Sequence, residues 1–148
     1  MRTFKLNSTI SGTLKSISDD KSLTMFNMIA LSSETTDTLA QKLNLTRKQS
    51  YSRTSALTTA GLIKRGNGGY YLTSFGKIVY EVQLLIAKAK QDFWKLNAID
   101  SIESSLFDMT VEERRRIIDS LMVDDILKEI LNKNNDGKKE ELINPTSD

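Results

Sequence analysis

The sequence predicts a mainly α-helical protein with one small β-hairpin, an α+β fold. Apolar residues recur at steps of three and four along most of the chain, which is the spacing of amphipathic helices. A glycine-rich turn over residues 66–69 separates two short extended runs, which is the pattern of a hairpin. The length of 148 residues suits one compact domain followed by additional helices.

The balance of charge changes sign along the chain. Residues 1–98 hold 14 basic and 6 acidic side chains, whereas residues 99–148 hold 7 basic and 13 acidic ones. This distribution favours contact of the N-terminal part alone with a polyanion. Solvated helix faces of opposite sign would give the same count, so charge alone leaves both interpretations open.

The composition excludes several classes of site. Without cysteine or histidine there is no disulfide, no thiolate nucleophile, and neither the commonest general base nor the commonest transition-metal ligand. We find no paired carboxylates or phosphate-binding loop, so we expect no enzymatic activity, no metal and no cofactor. Residues 4–10 are too short and polar for a signal peptide or a membrane span, so a cytoplasmic protein without a membrane partner is expected.

Two helices are predicted ahead of Thr46. The first covers residues 18–31, where Leu23, Phe26 and Ile29 fall on one face and Ser18, Asp19 or Asp20 can serve as the N-cap. The second is short. Thr36 or Asp37 is its predicted N-cap, and it extends to Leu43 with a narrow apolar edge for burial.

A third helix is expected over residues 46–60. Thr46 is a suitable N-cap, and Gln49 three residues later can close a capping box. Gly61 follows, and glycine tolerates the left-handed conformation of a helix exit. Because only a few residues separate this helix from the second one, the pair has the helix-turn-helix arrangement.

The predicted hairpin follows directly. Residues 62–65 and 70–73 form its strands, and Asn and Gly at the turn accept the positive φ that a tight turn requires. The glycine cluster joins two strands, whereas a nucleotide-binding loop joins a strand to a helix. We therefore interpret it as a turn.

Candidate DNA contacts concentrate in the third helix and the hairpin, since residues 46–65 hold five basic side chains and no acidic one. Basic, amide and hydroxyl side chains are the groups that reach bases and phosphates. The candidates are Thr36, Thr46, Arg47, Lys48, Gln49, Tyr51, Ser52, Arg53, Lys64, Arg65 and Asn67.

Several candidates have a competing role. Arg53 either forms a structural salt bridge or contacts DNA. The ring of Tyr51 is expected to pack in the core, with only its hydroxyl outside. Gln49 is removed from DNA if it serves the capping box. Arg47 and Lys48 could be merely solvated, although no acidic residue is close to them in the sequence.

Two motifs point to a known family. They are L-x-x-x-G-L-I-x-R, from Leu57 to Arg65, and G-Y-Y-L-T-x-x-G, from Gly69 to Gly76. With the preceding helices, they resemble the winged helix-turn-helix transcriptional regulators, and most of all the small archaeal ones. The resemblance implies that the third helix enters the major groove and that the wing, residues 64–70, contacts the backbone or the minor groove. Ser50 and Arg53 depart from the pattern, since branched apolar residues often stand there.

On this resemblance the chain has four parts. They are a loose arm (residues 1–15), a winged-helix DNA-binding domain (16–74), a long helix with C-terminal helices for dimerisation (75–132) and a disordered tail (133–148).

The long fourth helix is predicted from Thr73 or Ser74 to about Ala98. Its apolar stripe is longer than a small domain needs for its own core, so another surface must cover the remainder and shield it from water. A second copy of the chain is the predicted cover, and the chain's own C-terminal helices are the alternative. Among those helices, Thr110 with Glu113 forms a second capping-box pattern. The predicted dimer interface is Val82, Leu85, Ile86, Ala89, Phe93 and Trp94.

The function predicted from the sequence is a homodimeric, sequence-specific regulator of transcription that binds double-stranded DNA. A winged-helix module that binds protein within a larger assembly is the alternative. The sequence identifies no small-molecule effector.

Overall fold

A computed structural model of the chain describes residues 9–33, 35–105 and 108–133. Within these ranges the protein is mainly helical with one antiparallel hairpin, which confirms the predicted α+β class. Two compact units divide at Leu84 and Leu85, a point within the fifth helix. The elements are α1 (Ile10–Ser16), α2 (Asp20–Leu31), α3 (Thr36–Lys42), α4 (Arg47–Thr59), β1 (Ile63–Gly66), β2 (Gly69–Leu72), α5 (Ser74–Gln91), α6 (Phe93–Ser105), α7 (Val111–Leu121) and α8 (Asp125–Asn132).

Helix α1 occupies a segment that was predicted as part of a loose arm, so that prediction is wrong from Ile10 onward. The hydroxyl oxygen of Thr9 accepts a hydrogen bond from the backbone N–H of Gly12 at 3.2 Å and caps the helix. Thr13 and Ile17 are buried, and α1 contacts α4. Because tertiary packing stabilises so short a helix, its own sequence gives little signal. Residues 1–8 and the predicted tail from residue 134 lie outside the described residues.

The core of the first unit lies among α2, α3 and α4. Met25 and Phe26 of α2, Leu39 of α3 and Leu57 of α4 are fully buried. The ring of Phe26 meets that of Tyr80 edge-on, with 6.3 Å between ring centroids. The apolar face of the first predicted helix therefore lies in the core, as expected.

A short turn, residues 43–46, connects α3 to α4. Thr35 caps α3, so the predicted cap at Thr36 or Asp37 is wrong. Asn44 takes a positive φ of 53° in the turn. The predicted capping box of Thr46 and Gln49 is confirmed. Gly61, with φ of 77°, ends α4 as predicted.

The hairpin pairs β1 with β2 from Ile63↔Leu72 to Gly66↔Gly69. A turn at Asn67 and Gly68 joins the strands, and the positive φ falls on Gly68, at 84°. Ile63 and Tyr70 are buried, so one side of the hairpin covers the core of the first unit.

The predicted single long helix is wrong, because α5 ends at Gln91 and α6 begins at Phe93. The carbonyl of Asp92 accepts hydrogen bonds from the backbone N–H groups of Lys95 and Leu96 at 2.9 and 3.1 Å. Its carboxylate lies 3.4 Å from Nζ of Lys95. The backbone N–H of Asp92 donates to the carbonyl of Lys88 at 3.1 Å, so Asp92 is the single residue between the two helices.

The second unit has its own small core, formed by Ile99, Ile118, Met122 and Leu127. The predicted capping box of Thr110 with Glu113 is confirmed. None of the helices in the described ranges has both the length and the apolar character that a membrane span requires.

Candidate nucleic-acid interface

Helix α4 carries a polar, exposed face that begins near its N-terminus. Four of its exposed residues follow one another at spacings of three, one and three: Lys48, Tyr51, Ser52 and Ser55. On an α-helix such positions lie side by side. This face, residues 48, 51, 52 and 55, is called the α4 face below.

Arg47 stands beside the α4 face, at the first helical position. Its Nη2 lies 3.7 Å from Oδ1 of Asp37 on α3, and the two side chains are 88% and 75% exposed. The expectation that no acid lies near Arg47 is therefore wrong, because the turn between α3 and α4 brings Asp37 close. An exposed pair of this kind contributes at most about 1 kcal/mol. Arg47 thus remains available to an incoming phosphate.

Arg53 is held inside the protein by two hydrogen bonds. Its Nη1 donates to Oδ1 of Asp19 at 2.6 Å and to the hydroxyl of Ser22 at 2.8 Å. The side chain is only 27% exposed, and its Nε is buried without a partner. Hydrogen bonds from Ser22 and the charge of Arg53 hold the pKa of Asp19 below its usual value, although burial opposes the shift. Arg53 therefore joins α4 to the start of α2, which agrees with the predicted alternative of a structural salt bridge.

Gln49 and Thr46 are occupied by the cap of α4. Oε1 of Gln49 accepts from the backbone N–H of Thr46, and the hydroxyl of Thr46 accepts from that of Gln49, both at 3.1 Å. Recognition of adenine by glutamine uses both the carbonyl and the amino group of the amide. The capping box already uses the carbonyl oxygen of Gln49 and fixes the orientation of its amide.

Tyr51 does not pack in the core, so that prediction is wrong. The residue is 68% exposed. Ser50, Thr54 and Leu57 form the buried side of α4, and the small residues among them let the helix lie close to its neighbours. Residue 51 is rotated by about 100° from residue 50, which turns its ring toward solvent.

Thr36 is half-buried where α3 meets α4 and β2. Its carbonyl accepts from the hydroxyl of Ser50 at 3.5 Å. Burial raises the pKa of the neighbouring Tyr70 hydroxyl. Hydrogen bonds with Thr36 and Thr54 and the charge of Arg65 lower that pKa by more, so it lies below its usual value. Thr36 thus belongs to the packing of these elements.

The hairpin carries exposed basic groups near its tip. Lys64, Arg65 and Asn67 are exposed, and in the described part of the chain no carboxylate lies within 4 Å of either basic side chain. The hydroxyl of Tyr71 donates to the carbonyl of Asn67 at 2.6 Å. A Cβ at Gly66 would lie 2.6 Å from the ring of Tyr71, so this ring covers the glycine and supports the tip.

Sequence reasoning overlooked Tyr71. The signal was available in the register of the hairpin, since a turn at residues 67 and 68 pairs Lys64 with Tyr71 and places both side chains on one side.

A hollow of about 330 Å³ adjoins the α4 face and is lined by Lys48, Gln49, Ser52 and Arg53. Its walls are amide, hydroxyl and basic groups, which suit an anion or a nucleobase edge better than an apolar ligand. Among the described residues no cluster of three or more acidic side chains could hold a metal ion.

The six residues predicted at the dimer interface divide into two groups. Leu85 and Ala89 are half-buried against the core of the second unit, which is the alternative that the sequence left open. The remaining four are more than half exposed: Val82, Ile86, Phe93 and Trp94.

Comparison with known protein families, with curated protein sequences and with solved structures finds no match to this chain.

Proposed function

We propose that the protein is a sequence-specific regulator of transcription that binds double-stranded DNA through a winged helix-turn-helix. The order of α2, α3, α4 and the hairpin supports this assignment. The connection of α3 to α4 by four residues, 43–46, also supports it, because helix-turn-helix proteins join their two helices by so short a turn and insert the second one into the major groove.

The observation that carries the proposal is the exposed N-terminal end of α4. Arg47 and Lys48 occupy the first two positions of the helix, where the helix dipole adds partial positive charge. The major groove is about 12 Å wide and admits one helix, which presents its N-terminal residues to the bases. In the proposal α4 lies in that groove, and Lys64, Arg65 and Asn67 of the hairpin contact the backbone or the minor groove.

The proposed regulator acts as a homodimer. Exposed apolar side chains such as Val82 and Ile86 support this, because a second copy would remove them from water. Two α4 helices would then contact half-sites about 34 Å apart, one turn of the duplex. A pseudo-palindromic site is the expected target.

A mobility-shift comparison of two double variants tests the proposal. Arg47→Ala with Lys48→Ala removes two basic groups from α4. Arg115→Ala with Arg116→Ala removes two exposed basic groups from α7 in the second unit. Each lost DNA contact costs about 1–3 kcal/mol, so the first variant should bind a selected duplex at least about thirtyfold more weakly.

The second double variant should bind nearly as the unmodified protein does, because it changes net charge equally without touching α4. Equal affinities for the two variants would contradict the proposal, provided circular dichroism shows that both are folded.

A protein-binding winged-helix module is the second candidate function. The exposed apolar side chains Ile78, Phe93 and Trp94 favour it, since they suit a protein partner. This module would show no shift of random duplex DNA at low salt, whereas the proposed regulator should shift it through its phosphate contacts.

A further inference from the structure

Fewer side chains of α4 are available to read bases than the number of polar residues suggests. Gln49 has its carbonyl oxygen in the capping box. Arg53 has Nη1 bonded to Asp19 and Ser22 and has Nε buried. The two-point contacts of glutamine with adenine and of arginine with guanine each require the groups that are occupied here. Arg53 cannot make its usual base contact while these hydrogen bonds persist, and Gln49 is restricted to the orientation that the capping box fixes.

Tyr51 differs most in chemical character from the other exposed side chains of α4. It is the one large apolar side chain on the exposed surface of α4, and 68% of it is accessible to solvent. The α4 face surrounds it with Lys48 three residues before and Ser55 four residues after. The ring is surrounded by hydroxyl and ammonium groups. The α4 face therefore binds most favourably to a partner that has one apolar group with polar groups around it.

A base edge of that kind exists in the major groove. Among the four base pairs, only those with thymine present an apolar group there, the C5-methyl. Next to it lie hydrogen-bond acceptors, which suit the hydroxyl groups of Ser52 and Ser55.

We propose that Tyr51 is a specificity-determining residue, whose ring contacts the methyl group of a thymine at a fixed position in each half-site. This inference rests on the proposed DNA-binding function. The ring supplies the apolar surface, and its hydroxyl is not needed for the contact. Removing the methyl group should weaken binding about fourfold, the effect of exposing one buried methyl group.

Deoxyuridine provides the test, because it differs from thymidine only by that methyl group. Duplexes bound by the full chain are first selected from a random pool, and each thymidine of the selected duplex is then replaced singly by deoxyuridine. The unmodified protein and Tyr51→Phe should both lose about fourfold in affinity at one position per half-site. Tyr51→Ala should bind the two duplexes equally.

Lys48→Ala is the matched control on the same face. It should bind every duplex more weakly and still distinguish thymidine from deoxyuridine. Because Tyr51 and Lys48 are both exposed, neither alanine variant should unfold, and thermal denaturation by circular dichroism verifies this.

The outcomes separate the two proposals. If the pool yields no enriched duplex and no DNA is shifted, the proposed function falls. If duplexes are enriched but no thymine methyl affects binding, or if Tyr51→Ala still responds to the methyl, the role of Tyr51 is overturned. A loss of methyl dependence in Tyr51→Phe would likewise overturn it, since the contact would then require the hydroxyl.

Discussion

Replacing Gly76 by alanine would disturb the attachment of α5 to the chain that leads into the hairpin. Gly76 lies in the first turn of α5 and is buried. A Cβ at this position would lie 2.0 Å from the carbonyl oxygen of Leu62 and 2.9 Å from its carbonyl carbon. That oxygen already accepts from the backbone N–H of Thr73 at 3.0 Å and from its hydroxyl at 3.3 Å. The obstacle is main chain, so a side-chain rotation cannot relieve it.

The cost follows from the distances. Ordinary contact begins at 3.4 Å, so α5 and Leu62 must separate by 1.4 Å. Overpacking of this kind costs about 1–3 kcal/mol. The separation also breaks two hydrogen bonds worth about 1 kcal/mol each, whereas alanine recovers about 1 kcal/mol of helix propensity. The free energy of unfolding should therefore fall by about 2–4 kcal/mol. For a unit of this size that lowers Tm by at least about 8 °C.

Thermal denaturation followed by far-ultraviolet circular dichroism measures the effect. Lys77→Ala, at the next and exposed position of the same helix, is the control and should change stability by less than about 0.5 kcal/mol. If Gly76→Ala and Lys77→Ala melt within about 2 °C of each other, the reasoning from the Leu62 contact is refuted.

Two further predictions concern the charged groups of the first unit. Because the pKa of Asp19 lies below its ordinary value of 3.8, its stabilising effect is complete above that pH and is lost as the pH falls through the lowered pKa. Urea titrations should therefore show a smaller loss of unfolding free energy on acidification in Asp19→Asn, and an equal loss would contradict this. In DNA binding, Lys48→Gln should reduce the slope of log affinity against log salt by about 0.9, whereas Arg53→Gln should leave it unchanged. Equal changes in the two variants would show that Arg53 contacts phosphate.

Local features of the fold were predictable because their cause lies within a few residues. The capping boxes of α4 and α7 each depend on two residues three positions apart, and both form as predicted. The exit of α4 depends on Gly61, and the turn of the hairpin depends on Gly68, both of which take a positive φ. At the helix exit and in the turn, the positive φ that glycine accepts decides the structure.

Features that depend on residues distant in the chain could not be predicted from the sequence alone. Arg53 and Asp19 are 34 positions apart, and the sequence does not say that the start of α2 will meet the middle of α4. The same holds for Arg47 and Asp37, which the turn after α3 brings together. Charge counting treated these arginines as equivalent. Packing makes one a half-buried structural group and leaves the other exposed.

The apolar periodicity of α5 likewise does not predict which part of the protein, if any, each apolar side chain packs against. Leu85 and Ala89 are four positions apart and face the core of the second unit, whereas Val82 and Ile86, also four apart, face solvent. These are two adjacent stripes centred about 60° apart on one helix, and the sequence pattern merges them into one. The proposed dimer can therefore use only the outer stripe. Since Asp92 ends the helix, Phe93 begins a new one and does not continue that stripe by helical spacing.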